Sequence, residues 1–174
     1  DTAVFPGYQG GPLMHVIAAK AAGFYEALKP DFQTYIKNVL ANAKMLAETL
    51  KNNGFKIYSG GTDTHLMLVD LRPFNVKGNL ASESLCRANI TCNKNGIPFD
   101  TEKPMITSGI RLGSQAATTR GFGLKEFEKV GNLITKVIKG LSENPEDNSK
   151  IEGEVRDEVV NLCSNFPIYK NLNK

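Results

Sequence analysis

Arg111 is the residue whose type and surroundings point most directly to ligand binding. It lies within Gly109-Ile110-Arg111-Leu112-Gly113, directly after Thr107-Ser108. Neighbours without bulk leave room for a planar guanidinium to form two parallel hydrogen bonds with a ligand carboxylate. An internal salt bridge would use the same side chain equally well. The local pattern alone therefore leaves both interpretations open.

A glycine-rich loop, Gly7-Tyr8-Gln9-Gly10-Gly11, comes just before Pro12 and a predicted helix. Free backbone N–H groups at a helix start attract phosphate, so the loop is a candidate anion site. It matches neither the P-loop nor the dinucleotide-binding fingerprint. A tight structural turn explains the same residues and is favoured when the loop is considered alone.

A third polar segment, Asn93-Lys94-Asn95-Gly96, offers amide groups that suit the polar edge of a flat heterocycle. An ordinary turn explains it as well.

His15 and His65 have no carboxylate or cysteine at ligand spacing, so no metal site is predicted. There is no GxSxG motif, and no candidate base lies near a cysteine in sequence, so nucleophilic hydrolysis has no support.

Composition narrows the function classes further. The chain has 174 residues, enough for one domain or a domain plus part of another. A net charge of +3 is too small to indicate a nucleic-acid surface, and no apolar run is long enough for a membrane span. Three cysteines without a CxxC pair argue against a disulfide framework and for a reducing compartment.

Hydrophobic periodicity predicts the elements that must position these residues. Leu13 to Leu28 is apolar nearly all round and is predicted to be a largely buried helix. Strands that alternate with helices indicate an α/β or α+β domain covered by helices. Further helices are predicted over 32–50, 79–88, 124–141 and 151–162, and strands over 55–59, 65–71, 90–93 and 109–113.

Four segments together, in this order and spacing, closely resemble the serine hydroxymethyltransferase family. They are Ala3 to His15 (AVFPGYQGGPLMH), Ser59 to His65 (SGGTDTH), Arg87 to Asn95 (RANITCNKN) and Thr107 to Gly113 (TSGIRLG). The resemblance covers essentially the whole chain. It implies an α/β fold, pyridoxal-phosphate-dependent transferase fold type I, the aspartate-aminotransferase-like fold. Residues 1–26 would end the large cofactor domain, and residues 27–174 would form the small C-terminal domain, with a short, mainly antiparallel sheet covered by helices.

The resemblance also implies a reaction: the interconversion of serine plus tetrahydrofolate and glycine plus 5,10-methylenetetrahydrofolate. On this basis Arg111 matches the arginine that clamps the substrate carboxylate. Gly10 and Gly11 match a backbone contact to the pyridoxal phosphate held by the neighbouring subunit, so a homodimer or tetramer is implied. Asn95 and the segment Lys103-Pro104-Met105 match the folate pocket, and Arg120 matches a supporting charge near the active site.

The lysine that binds the cofactor belongs to a Thr-His-Lys motif that this sequence does not contain, so the chain is expected to be inactive alone. The implied setting is cytoplasmic, with neither nucleic acid nor membrane as a partner. Two alternatives stay open. One is another enzyme of the same cofactor class, such as a threonine aldolase, which would need the carboxylate clamp but not the folate segment. The other is a non-enzymatic binding module.

Overall fold

The computed structural model describes residues 1–169, and the chain divides between Ile36 and Lys37 into two compact units. The first unit contains a short helical turn, Ala3–Tyr8, and helix α1, Met14–Ala27. Helix α2, Pro30–Asn52, begins in the first unit and continues into the second. The domain boundary implied after residue 26 stays a prediction.

Helix α1 differs from the expectation in its environment. None of its residues is buried within the described chain, and large apolar side chains such as Phe24 and Tyr25 are 70% and 66% exposed. The prediction of a largely buried helix is therefore wrong for residues 1–169. The apolar composition of α1 is as read from the sequence, and its large side chains are exposed.

The second unit is a four-stranded antiparallel sheet with helices, which confirms the predicted α/β class with a sheet of this kind. The strand order is β1-β2-β4-β3. The strands are β1 (Lys56–Ile57), β2 (Leu66–Asp70), β3 (Asn93–Asn95) and β4 (Gly109–Gly113). The remaining helices are α3 (Gly78–Arg87), α4 (Gln115–Arg120), α5 (Leu124–Glu143) and α6 (Ser149–Ser164).

Strand register separates a buried face of the sheet from an accessible one. Met67 pairs with Leu112 and Val69 pairs with Ile110, and all four side chains are buried in the core. Because side chains alternate along a strand, Arg111 of β4 points away from that core. The helical side of the core comes from apolar faces of α2, α3, α5 and α6.

The observed bounds of some elements differ from the predicted bounds in segments where polar residues determine the backbone conformation. The first strand ends at Ile57 because Tyr58–Gly60 forms a helical turn in which Ser59 has a positive φ of 65°. Strand β3 starts at Asn93, three residues later than predicted. The short helix α4 was not predicted at all.

A buried carboxylate joins α6 to α3. Glu152, whose side chain is only 6% exposed, accepts hydrogen bonds from Ser84 Oγ at 2.6 Å and from Arg87 Nε and Nη2 at 2.7 Å each. The Arg87 hydrogen bonds, helped by Ser84, outweigh the effect of burial and hold the pKa of Glu152 below its ordinary value. The network therefore depends on the ionised carboxylate.

A folded-state pKa below the unfolded one adds stability above the unfolded pKa, about 4.3, and this stability is lost as pH falls. We expect Glu152→Gln to lower the free energy of unfolding by about 1–3 kcal/mol at pH 7, and by much less near pH 3. Urea unfolding between pH 7 and pH 3 measures the difference. Glu128→Gln, which alters an exposed carboxylate of α5, is the control. Equal losses for Glu152→Gln at both pH values would contradict the assignment.

Candidate ligand-binding site around Arg111

The guanidinium of Arg111 is exposed at the middle of β4. Among residues 1–169 it makes no hydrogen bond and no ion pair. The internal salt bridge that the sequence left open is thus absent from this part of the chain. Cross-strand neighbours are Leu68 on β2 and Asn93 on β3. A groove of about 490 Å³ beside the arginine is lined in part by Asn93 and Thr91.

The glycine at position 109 has a reason that differs from the one read from the sequence. A Cβ there would lie 2.7 Å from the carbonyl oxygen of Val69 on β2 and 3.0 Å from that of Asn95 on β3. Strand β4 is held between these two strands, so any side chain at 109 would separate the pairs. The glycine allows close strand pairing, and the pairing fixes the position of Arg111.

The segment implied in folate binding begins at the edge strand beside Arg111. Asn95 pairs with Gly109, two residues before the arginine, and its Nδ2 donates to the carbonyl of Gly96 at 2.8 Å. The loop from Gly96 to Ser108 follows, and in it Lys103, Pro104 and Met105 are exposed. The structure thus places Asn95 on the strand next to Arg111 and leaves the other three side chains accessible to solvent.

Asp100 lies in this loop and was not recognised from the sequence. Its carboxylate accepts hydrogen bonds from the backbone N–H groups of Ile97, Glu102 and Ser108 and from the Ser108 hydroxyl. Partial burial alone would raise the pKa of Asp100, but these donors, Ser108 Oγ first, hold it well below the usual aspartate range. A short polar residue within a Pro- and Gly-rich loop is the signal that could have indicated it.

Two loop residues adopt backbone conformations that are costly for residues with side chains. Phe99 has φ of 58° and Thr107 has φ of 62°. The ring of Phe99 is 98% exposed, so burial does not hold this conformation in place. Such strain persists only where the surroundings determine the backbone, and it is frequent at ligand sites.

The glycine-rich loop belongs to the first unit. Cβ atoms built at Gly10 and Gly11 would meet nothing within 4 Å. Among residues 1–169, the N–H groups of both glycines donate to no acceptor. Donors without acceptors, a few residues before the start of α1 at Met14, fit an anion such as a phosphate group.

Arg120, at the end of α4, has partners of a different kind. Its Nε donates to the carbonyl of Phe166 at 2.5 Å, and its Nη2 donates to that of Cys163 at 3.1 Å. A cation at the C-terminal end of α6 is also favoured by the helix dipole. These two hydrogen bonds give Arg120 a structural role. Its role as a supporting charge near an active site stays a prediction.

Thiol chemistry has little support. All three cysteines are unpaired, and burial, together with the nearby Cys86, raises the pKa of the Cys92 thiol to about 11. At neutral pH this thiol is protonated and a poor nucleophile. Residues 1–169 contain no group of three histidine, cysteine, aspartate or glutamate side chains placed to hold a metal ion. Within the same range, no helix combines the length and apolar character that crossing a membrane requires.

The chain is similar in sequence to known proteins of one family. The model of the serine hydroxymethyltransferase family matches residues 1–134. A serine hydroxymethyltransferase of Pelagibacter ubique is 87% identical over 172 residues, which are 99% of this chain and 39% of that protein. Those of Marinomonas sp. and Paramagnetospirillum magneticum are 66% and 63% identical, over 98% of this chain and 40% of each protein. The chain thus spans about two fifths of the length of these relatives.

Proposed function

Because the chain belongs to the serine hydroxymethyltransferase family, we propose that it is the C-terminal part of an enzyme that interconverts serine and glycine with tetrahydrofolate as the one-carbon carrier. Membership confirms the fold class implied by the motifs, α/β of pyridoxal-phosphate fold type I. The observation that supports the function best is Arg111, an exposed guanidinium without an internal partner, beside the strand that ends in Asn95.

Arg111 binds the α-carboxylate of serine or glycine in this proposal. Its fork forms two charge-assisted hydrogen bonds, which fix the direction of the carboxylate as well as its distance. Held in this way, serine would have a fixed orientation, which would set the direction of its Cα–Cβ bond. Pyridoxal phosphate, when bound, supplies an electron sink for the breaking of that bond.

Gly10 and Gly11 contribute N–H donors to the cofactor phosphate in this proposal. The open space at both positions and the donors without acceptors fit that group. We assign the contact to the phosphate held by the neighbouring subunit of a homodimer, or of a tetramer built from such dimers, so that each site is shared between subunits. A side chain at Gly11 would place bulk where the phosphate has to approach the backbone.

Asn95 and the segment Lys103-Pro104-Met105 line the tetrahydrofolate pocket. The amide of Asn95 suits the polar edge of the pterin, and its position two residues along β3 from the partner of Arg111 brings the two substrates near each other. Arg120 is kept as a supporting charge. The enzyme is placed in the cytoplasm, in line with three unpaired cysteines.

The remaining part of the enzyme supplies what these 174 residues lack. In this proposal residues 1–26 end the large cofactor domain and residues 27–174 form the small one. The lysine that binds the cofactor lies outside the chain, so the chain by itself is inactive. The exposed apolar side chains of α1 are covered by the rest of the large domain.

Turnover of serine by the full-length enzyme tests this function. We expect conversion of serine to glycine that rises with tetrahydrofolate and saturates, and no turnover by the 174-residue chain alone. The measurement is glycine formation with and without tetrahydrofolate. Turnover that is indifferent to folate would favour a threonine aldolase, and cofactor-loaded enzyme without any turnover would favour a binding module.

A further inference from the structure

We propose that Asp100 is a positioning residue for tetrahydrofolate: it holds the loop from Gly96 to Ser108 in the shape that presents Lys103, Pro104 and Met105 to the ligand. This inference rests on the proposed function, because it assigns a residue to the folate side of that site. It adds a residue that neither touches a substrate nor belongs to the segments that carry the resemblance.

The first support is how widely the Asp100 carboxylate connects the loop. Oδ2 accepts from the N–H of Ile97 at 3.1 Å and from the N–H of Ser108 at 2.9 Å. Oδ1 accepts from the N–H of Glu102 at 3.0 Å and from Ser108 Oγ at 2.7 Å. One side chain thus joins the beginning, the middle and the end of the loop.

The end of the loop is itself fixed to the core. The carbonyl of Ser108 accepts the N–H of Leu71 at 3.0 Å, and Leu71 is fully buried. Strand β4 follows directly and is paired on both sides. Asp100 therefore ties an exposed, ligand-facing segment to a rigid frame. Arg111 is held by the strand pairing and does not need Asp100.

The Asp100 carboxylate forms no ion pair with any of residues 1–169, so N–H and O–H donors are its direct partners, and the Arg72 guanidinium adds a longer-range charge interaction. Each of the four donors directs a hydrogen at a carboxylate oxygen, and an amide in this place could not accept all four hydrogen bonds. Asparagine would turn an NH2 group toward N–H donors. The substitution keeps size and shape but removes acceptor capacity, which makes Asp100→Asn a specific test.

The second support is the strain on either side of the carboxylate. Phe99 and Thr107 occupy left-handed conformations that cost on the order of 1 kcal/mol or more each. Phe99 gains nothing from burial, since its side chain is 98% exposed. The hydrogen bonds that the Asp100 carboxylate accepts help to offset this cost next to Phe99, together with the bond from the Asp100 N–H to the Ile97 carbonyl. Without the Asp100 bonds the part of the loop from Gly96 to Glu102 relaxes. The turn at positions 103–105, which is closed by the N–H groups of Ile106 and Thr107 on the Lys103 carbonyl, then shifts relative to the ligand.

The test measures both substrates in the full-length enzyme. We expect Asp100→Asn to raise KM for tetrahydrofolate at least about tenfold while KM for serine stays within about twofold. Ser108→Ala, which removes one of the four donors, should raise KM for tetrahydrofolate about two- to threefold. Asp147→Asn is the matched control. Its carboxylate accepts the N–H of Ser149 at 2.9 Å, away from the loop, and both KM values should stay unchanged.

Hydrogen exchange separates positioning from a general loss of stability. In Asp100→Asn the amides of Ile97, Glu102 and Ser108 should exchange faster, while those of β2 and β4 keep their protection. If Asp100→Asn does not fold, Ser108→Ala carries the test. An unchanged KM for tetrahydrofolate in the folded variants, or equal changes in both KM values, would overturn the proposal. Wild-type enzyme without tetrahydrofolate-dependent turnover would instead refute the proposed function.

Discussion

Replacing Arg111 with lysine in the full-length enzyme is expected to reduce kcat/KM for serine about 10- to 100-fold. Lysine keeps the positive charge but offers no planar fork, so the paired hydrogen bonds to the carboxylate are lost. Charge-assisted hydrogen bonds are worth about 1.5–3 kcal/mol, and each 1.36 kcal/mol corresponds to a factor of ten. Because the same bonds set the orientation of the breaking bond, kcat should fall together with affinity.

Steady-state kinetics with serine varied at saturating tetrahydrofolate measures this effect. KM for tetrahydrofolate should change little, the opposite of the result expected for Asp100→Asn. Arg156→Lys is the control, because it alters an exposed arginine of α6 whose guanidinium, among the described residues, donates only to the carbonyl of Arg87. Serine kinetics unchanged by Arg111→Lys would refute the clamp.

Replacing Gly78 with alanine is expected to destabilise the protein by about 3 kcal/mol. A Cβ at this first position of α3 would overlap the hydroxyl of Thr107 and lie 2.6 Å from the carbonyl oxygen of Gly109. Neither atom can move easily. The N–H of Gly78 donates to the carbonyl of Thr107 at 2.9 Å, and Gly109 is held in the middle of the sheet. The start of α3 must therefore separate from the β4 strand.

Urea unfolding of the two glycine variants gives the comparison. Gly153→Ala in α6 is the matched control, since within the part of the chain that the structure describes a Cβ there would meet only the Nη2 of Arg156, at 3.7 Å. An alanine inside an unobstructed helix should raise stability by about 0.5–1 kcal/mol. A Gly78→Ala protein as stable as wild type would show that the contact between α3 and β4 is looser than described.

Hydrophobic periodicity was sufficient to predict the bounds of an element closely where the element is long or has clear ends. Strand β4 has the bounds that were predicted, because glycines stand at both of its ends. The long helices α2, α5 and α6 follow from their repeating apolar faces. Each extends two residues beyond the predicted ends, except that α5 begins at the predicted residue, Leu124.

Helix α4 could not be predicted because distant residues stabilise it. Its sequence, QAATTR, has no apolar repeat. Asn42 Nδ2 donates to Thr118 Oγ1 at 2.9 Å and to the Phe122 carbonyl at 3.0 Å, and Ser114 Oγ donates to the Val39 carbonyl at 2.8 Å. All three contacts join positions more than 70 residues apart, which a local pattern does not contain.

The residues of the candidate site likewise differ in whether the sequence predicts them. Arg111 and Asn95 lie in motifs whose residue types indicate their chemistry. Asp100 could not be predicted because its importance depends on the folded loop. Folding brings the N–H and the hydroxyl of Ser108, eight residues away, to the carboxylate of Asp100. Sequence predicts groups that touch a ligand more readily than groups that shape the backbone around it.

The uncovered helix α1 determines how the separated chain behaves in solution. Every member of the hydrophobic core cluster lies between Ala43 and Val155, so no residue of the first unit belongs to this cluster. The exposed apolar side chains of the 14 residues of α1 remain available for self-association, so we expect the separated chain to form oligomers through this helix. A shortened chain that starts at Pro30 keeps every residue of the core cluster and lacks α1, so we expect it to stay monomeric in solution.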